Sequence, residues 1–175
     1  ENPHQKAFAY TLDNASPGLL GAQIHQGKQL SYNNLVDADA GMSCVREFES
    51  PACVIIKHAN PCGIAQAQTL AEAFRKALSG DPISAFGGII ALNRPCDLET
   101  AEAISKTFFE VIIAPSYSQD ARSMLAQKPN QRVLELELKS SNNAWHYECI
   151  EGGFLVQEKP SHGLPSFTFP TKRQP

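Results

Sequence analysis

The sequence predicts an α/β fold, a three-layer arrangement in which a mostly parallel sheet carries helices on both faces. Three observations lead there. Short apolar runs of strand length, ACVIIK (52–57), GGIIALN (87–93) and VIIAP (111–115), are continuous rather than alternating, as expected of strands covered on both faces. Between them lie segments whose apolar residues recur every three or four positions, the pattern of one helix face. The two kinds then alternate along the chain, the order of a parallel sheet with crossover helices.

Taken in order, the first thirty residues, through SPGLLGAQIHQGKQL, are rich in Gly, Gln and His and read as extended segments and turns. SYNNLVDADAGMSCVREF (31–48) places Leu35, Ala38, Met42, Val45 and Phe48 at helical spacing, with Asn33 or Asn34 able to cap. The strand ACVIIK follows and empties into a loop. Thr69 and Glu72 then form a capping-box pair opening a helix. Its apolar stripe is Leu70, Ala73, Phe74, Ala77 and Leu78, with Gly80 as a left-handed stop. After GGIIALN, Asp97 can cap a helix burying Ala101, Ile104 and Phe108. VIIAP is a further buried strand, and Ala121, Met124 and Leu125 mark another helix. RVLELEL (132–138) alternates cleanly and reads as a half-exposed strand; GGFLVQE (152–158) reads as the last one.

Composition narrows the partners. The chain has 175 residues, 42% apolar and 19% charged, enough for one domain with a real core. A net charge of −3 provides no field to draw nucleic acid. No apolar run approaches the ~20 residues of a membrane helix, so no membrane partner is expected. Five cysteines without close pairs suit free thiols in a reducing, cytoplasmic setting. Both ends look cut, so the chain reads as an internal piece that shares its function with residues outside it.

Chemistry concentrates in VIIKHANPCGIA (54–65), where an apolar strand runs into Lys57, His58, Asn60 and Cys62. In parallel sheets ligands sit beyond the carboxyl ends of the strands. Lys57 to Gly63, Asn93 to Pro95 and Ala114 to Tyr117 are therefore expected along one edge. A zinc deaminase pattern, H-x-E with P-C-x-x-C, fails here: Asn60 stands where the Glu belongs and Ala65 where the second Cys belongs. Cys62 near His58 could be a nucleophile, but a small thiol packed beside a turn is the preferred reading. Gly87 and Gly88 could admit a ligand close to the backbone or mark a bend at a strand start, and no phosphate-loop pattern accompanies them. The Lys57–His58 pair offers a cation and a group titrating near neutrality; the bland alternative is a solvated lysine and a histidine bonded to a carbonyl. Glu110, directly before VIIAP, is either an acceptor for ligand N–H groups or a helix-end carboxylate.

ENPHQKAFAY, GKQLSYNNLVDADA, VIIKHANPCGIA, AFRKALSGDPISAFGGIIALNRPCD, EVIIAP and LVQEKP with TKRQP closely resemble, in order, the formyltransferase part of the AICAR transformylase/IMP cyclohydrolase family. The match runs from the first residue to the last and thins between about 115 and 150. The resemblance implies formyl transfer from 10-formyltetrahydrofolate to the 5-amino group of the nucleotide AICAR in purine biosynthesis, without a metal in the chemistry. It implies a catalytic pair at Lys57 and His58, and nucleotide contacts at Phe86, Gly87 and Glu110, with Asn60 of the same K-H-x-x-P segment counted among the substrate-binding residues. It further implies that residues 1–175 are the first of two cytidine-deaminase-like α/β units. The second unit and the cyclohydrolase domain are expected outside this chain, as is an Arg-Tyr-Gly that precedes E-N-P-H-Q in the family. The family's site forms across a homodimer. Alternatives from other classes are a nucleotide-binding or dimer-forming module without catalysis of its own, and a zinc deaminase with divergent ligands.

Overall fold

The computed structural model of the chain describes residues 4–11, 18–138 and 145–158. Parts of the opening segment (1–3 and 12–17) and the closing EKP and TKRQP, apart from Glu158, lie outside the described residues. The chain divides into two compact units, residues 1–139 and 140–175.

In the first unit the strands are β1 (Gln23–Gln26), β2 (Ala52–Lys57), β3 (Asn60–Gln66), β4 (Ile89–Leu92), β5 (Val111–Ala114) and β6 (Arg132–Glu135). The helices are α1 (Tyr32–Val45), α2 (Leu70–Gly80), α3 (Pro82–Ala85), α4 (Leu98–Ser105) and α5 (Gln119–Leu125). The six strands form one sheet in the order β1-β6-β5-β4-β2-β3. The centre, β4-β5-β6, is parallel; β1 joins β6, and β2 joins β4 and β3, in antiparallel sense.

Helices cover both faces, as the continuous apolar strands require. On one face Ala38, Met42 and Val45 of α1 pack with Val54, Ile56, Ala91, Val111 and Ile113. On the other, Phe74 of α2, Ile104 of α4 and Leu125 of α5 pack with Ile55, Ile90, Leu92 and Ile112. Phe109, just before β5, is buried there edge-on to Phe74, ring centroids 5.8 Å apart at 77°. The expected α/β layering is the observed one.

Caps at Thr69 and Asp97 are as expected, their side chains accepting from the backbone N–H of Glu72 and Thr100. Other local expectations change. Ser31 caps α1, and Asn34 is the far member of its capping box. Gly80 does not take a left-handed conformation; α2 stops because Asp81 is extended, with φ −153°, and starts α3. Helix α4 ends at Ser105, so Phe108 is partly exposed and Phe109 takes the buried position. Strand β6 stops at Glu135, and Val133 and Leu134 are both buried. The stretch 60–66, expected as loop, is strand β3, pressed against α2 at Gly63, where a Cβ would lie 2.1 Å from the Ala77 carbonyl oxygen. Pro61 and Gly63 hide the strand from a propensity reading.

The second unit contains an antiparallel hairpin, β7 (Trp145–Ile150) and β8 (Gly153–Glu158), paired from Trp145↔Glu158 to Ile150↔Gly153. The 152–158 strand is where the sequence put it.

Candidate active site

Because β2 runs antiparallel to β4, with Cys53 opposite Leu92 and Ile56 opposite Ile89, its carboxyl end lies at the amino end of the parallel strands. The expectation that Lys57 to Gly63 share an edge with Asn93 to Pro95 and Ala114 to Tyr117 is therefore overturned. Asn93 lies at the opposite end of β4 and works as a pin: its side chain accepts from Ala52 N at 2.7 Å and donates to the Phe48 and Ser50 carbonyls. The Tyr117 hydroxyl is likewise committed, its single O–H lying 3.0 Å from both the Ile112 and the Leu134 carbonyl and shared between them.

Strands β2 and β3 are joined by a two-residue turn, His58–Ala59, between the paired Lys57 and Asn60. Both turn residues are left-handed, with φ of 58° and 59°, the sign pattern of a type I′ hairpin normally built with Asn-Gly. Three hydrogen bonds hold this turn. The Asp37 carboxylate accepts from His58 N at 3.2 Å and from Ala59 N at 2.6 Å, and Asn60 Nδ2 donates to the His58 carbonyl at 2.9 Å. The exposed His58 ring itself has no hydrogen bond among the described residues.

Lys57 reaches across to the segment between α3 and β4, its Nζ donating to the Phe86 carbonyl at 2.7 Å. Phe86 is 57% exposed and stands beside Phe108, ring centroids 5.7 Å apart. Gly87 follows with φ 74°, donates its N–H to the Phe108 carbonyl at 2.9 Å, and has open space where a Cβ would be. A left-handed φ is what glycine supplies without steric penalty. At Gly88 a Cβ would lie 2.7 Å from the Ile56 carbonyl oxygen, so the backbone of 86–88 lies directly against the end of β2.

Glu110 completes the edge. Its N–H donates to the Gly88 carbonyl at 2.9 Å, and its own carbonyl accepts from Arg132 N at 2.9 Å. The side chain is half-exposed: Oε2 accepts from Asn34 Nδ2 at 3.1 Å and from Arg132 Nη1 at 3.3 Å. Oε1 has no hydrogen bond among the described residues. Arg132 is nearly buried and fixed through the carbonyls of Lys28 and Gln29. The amino edge of the sheet thus presents an ammonium, an imidazole, an exposed aromatic pair, a bare glycine backbone and a carboxylate with one free oxygen.

A family model described as AICARFT/IMPCHase bienzyme matches residues 1–175. The chain belongs to this family. It is 49% identical over 179 residues to the bifunctional purine biosynthesis protein PurH of Halalkalibacterium halodurans, covering all of this chain and 35% of that protein. It is also 49% identical over 182 residues to the PurH of Cereibacter sphaeroides, covering all of this chain and 34% of that protein. The chain spans about a third of the length of the curated relatives it matches.

In this member of the AICARFT/IMPCHase family, the residues singled out from sequence lie along one edge: Lys57 bonds directly to Phe86, and Gly88 links Gly87 to Glu110. Asn60 stands at the end of the same turn, one of its amide N–H groups donating to the His58 carbonyl. Cys62 points inward, its Sγ 3.6 Å from the Ile55 carbonyl, and partial burial raises its thiol above the ordinary value. Sequence reasoning missed Asn34, Asp37 and Arg132. The i, i+3 spacing of Asn34 and Asp37, next to the buried Ala38, was the available signal for the first two; nothing local marked Arg132. A pocket of about 270 Å³, lined by His25, Gln26, Gln119, Arg122, Ser123, Ala126 and Val133, contains none of the predicted residues.

Proposed function

We propose that this chain carries part of the AICAR formyltransferase site, moving a formyl group from 10-formyltetrahydrofolate to the AICAR 5-amino group, with Lys57 and His58 as the reacting pair. The observation that carries the reading is the Lys57 Nζ to Phe86 carbonyl bond, which ties the basic pair at the end of β2 to the Phe86–Gly87 segment. The amine of AICAR is a weak nucleophile, its lone pair being conjugated with a carboxamide. As it attacks the formyl carbon, a new N–C bond forms and the carbonyl oxygen gathers negative charge. His58 takes the amine proton, and the C–N bond to the folate then breaks as that nitrogen is protonated. Lys57 keeps two N–H donors beyond the one given to Phe86 and stabilises the developing negative charge. Each such group commonly supplies about a hundredfold or more in rate. The Phe86 ring and the bare Gly87 backbone offer a face for a planar heterocycle, and Glu110 Oε1 an acceptor for its N–H groups.

In this reading residues 1–175 are the first of two similar units, and a homodimer of the longer protein supplies the remaining folate and nucleotide contacts. The test is formyl transfer in the full-length protein carrying this sequence. Lys57→Ala and His58→Ala should each lower kcat by about a hundredfold or more with unchanged thermal unfolding; wild-type rates in either would sink the proposed pair. Calorimetry with AICAR beside a formyl-transfer assay separates the second reading: binding without turnover supports a nucleotide-binding module with no catalysis of its own.

A further inference from the structure

We infer that Asp37 is a positioning residue for His58, acting through the backbone of the turn. This rests on the reading of His58 as the proton carrier. Two consecutive non-glycine residues at φ near +60° are individually disfavoured by the clash of Cβ with the backbone. Alanine at the second place lacks the side-chain polar group that lets Asn or Asp tolerate this region. Such a turn persists where its surroundings over-determine it, and here Asp37 does so. One carboxylate takes both turn N–H groups, at 3.2 Å from His58 and 2.6 Å from Ala59, as charge-assisted bonds of the stronger kind. The direction of the His58 Cα–Cβ bond follows from that backbone, so the carboxylate sets where the imidazole starts.

The support is rigid. Asp37 adjoins Ala38, which is fully buried against the sheet, and Asn34, one turn earlier on the same helix face, donates to Glu110 at 3.1 Å. A single face of α1 therefore registers both the His58 turn and the Glu110 carboxylate. Misplacing a reacting group by about 1 Å costs roughly a hundredfold in rate.

The experiment uses the full-length protein carrying this sequence, with His58→Ala measured alongside. Asp37→Ala should lower kcat by about a hundredfold while the AICAR Kd stays within about twofold. The protein should still unfold in one cooperative transition, at a somewhat lower temperature because the strained turn has lost its two charge-assisted bonds. Adding Ala59→Gly to Asp37→Ala should then recover kcat by on the order of tenfold, because glycine takes the left-handed conformation without Asp37. A proton carrier or a direct ligand contact would not be rescued in that way. Wild-type kcat in Asp37→Ala beside an inactive His58→Ala overturns the inference, as does a loss confined to the AICAR Kd or an absence of rescue. Should Asp37→Ala fail to fold, Asp37→Asn, which keeps one acceptor oxygen, is read instead. About a tenfold loss of kcat is then expected, and a wild-type rate overturns the inference. An active His58→Ala overturns the function reading itself, whatever Asp37 does.

Discussion

Cys62 lies four residues after His58, close enough in sequence to suggest a nucleophile, yet its surroundings keep the thiol protonated. Burial raises its pKa first, and the charge of Asp81 adds to this; the backbone hydrogen bond and Lys57 oppose it only in part. Since the thiolate is the reactive form, a raised value leaves less of it at any neutral or mildly alkaline pH. Folded Cys62 should therefore react with iodoacetamide at pH 8 more slowly than the cysteine of a short unstructured peptide, as followed by peptide mass spectrometry; an equal or faster rate would show that the thiol is activated. Cys53 and Cys96 lie deeper still, with burial pushing Cys96 up to about 12 and Cys53 higher.

At the scale of elements, helix α3 shows how a four-residue segment sets the site. Asp81 accepts from Ser84 N at 2.9 Å, Pro82 supplies the first helical position, and the turn delivers Phe86 and Gly87 to the edge. Hydrogen bonds from the Ser84 side chain and backbone hold the Asp81 carboxyl below its ordinary range. The folded value being the lower one, the ionised carboxylate contributes stability that is complete above the ordinary aspartate pKa, about 3.9, and is lost as pH falls through the folded value. Asp81→Asn keeps a capping oxygen without the charge. Wild type should melt above Asp81→Asn at pH 6, and the gap in Tm should close below about pH 4. A gap independent of pH would rule the carboxylate out as its source.

For the whole molecule, the sheet is a partition between two cores, and Phe109 joins one of them to the site. Its ring is fully buried against Phe74, while the next residue, Glu110, is held by Gly88, Asn34 and Arg132. Phe109→Ala should destabilise the fold by about 3–5 kcal/mol, the range for removing a buried aromatic ring. Urea unfolding measures it, and a loss below about 1 kcal/mol would mean that the site region collapses freely around the gap.

Local signals determined much of this protein. Continuous apolar runs marked β2, β4 and β5, and helical spacing with Thr69 and Asp97 caps marked α2 and α4, because burial on two faces and the unsatisfied N–H groups of a helix start both leave short-range traces. The long uninterrupted motifs sufficed for the family. Strand direction left no such trace. Whether VIIK continues to a crossover or folds back at His58–Ala59 depends on a left-handed turn stabilised from another element, by Asp37 of α1. That one reversal moved the basic pair from the carboxyl to the amino edge of the parallel strands, away from Asn93 and onto Phe86. Asn34, Asp37 and Arg132 entered the site the same way, through contacts spanning 21 to 104 residues of chain. Composition and spacing report each residue's own neighbourhood; only the packed sheet brings distant neighbourhoods to one edge.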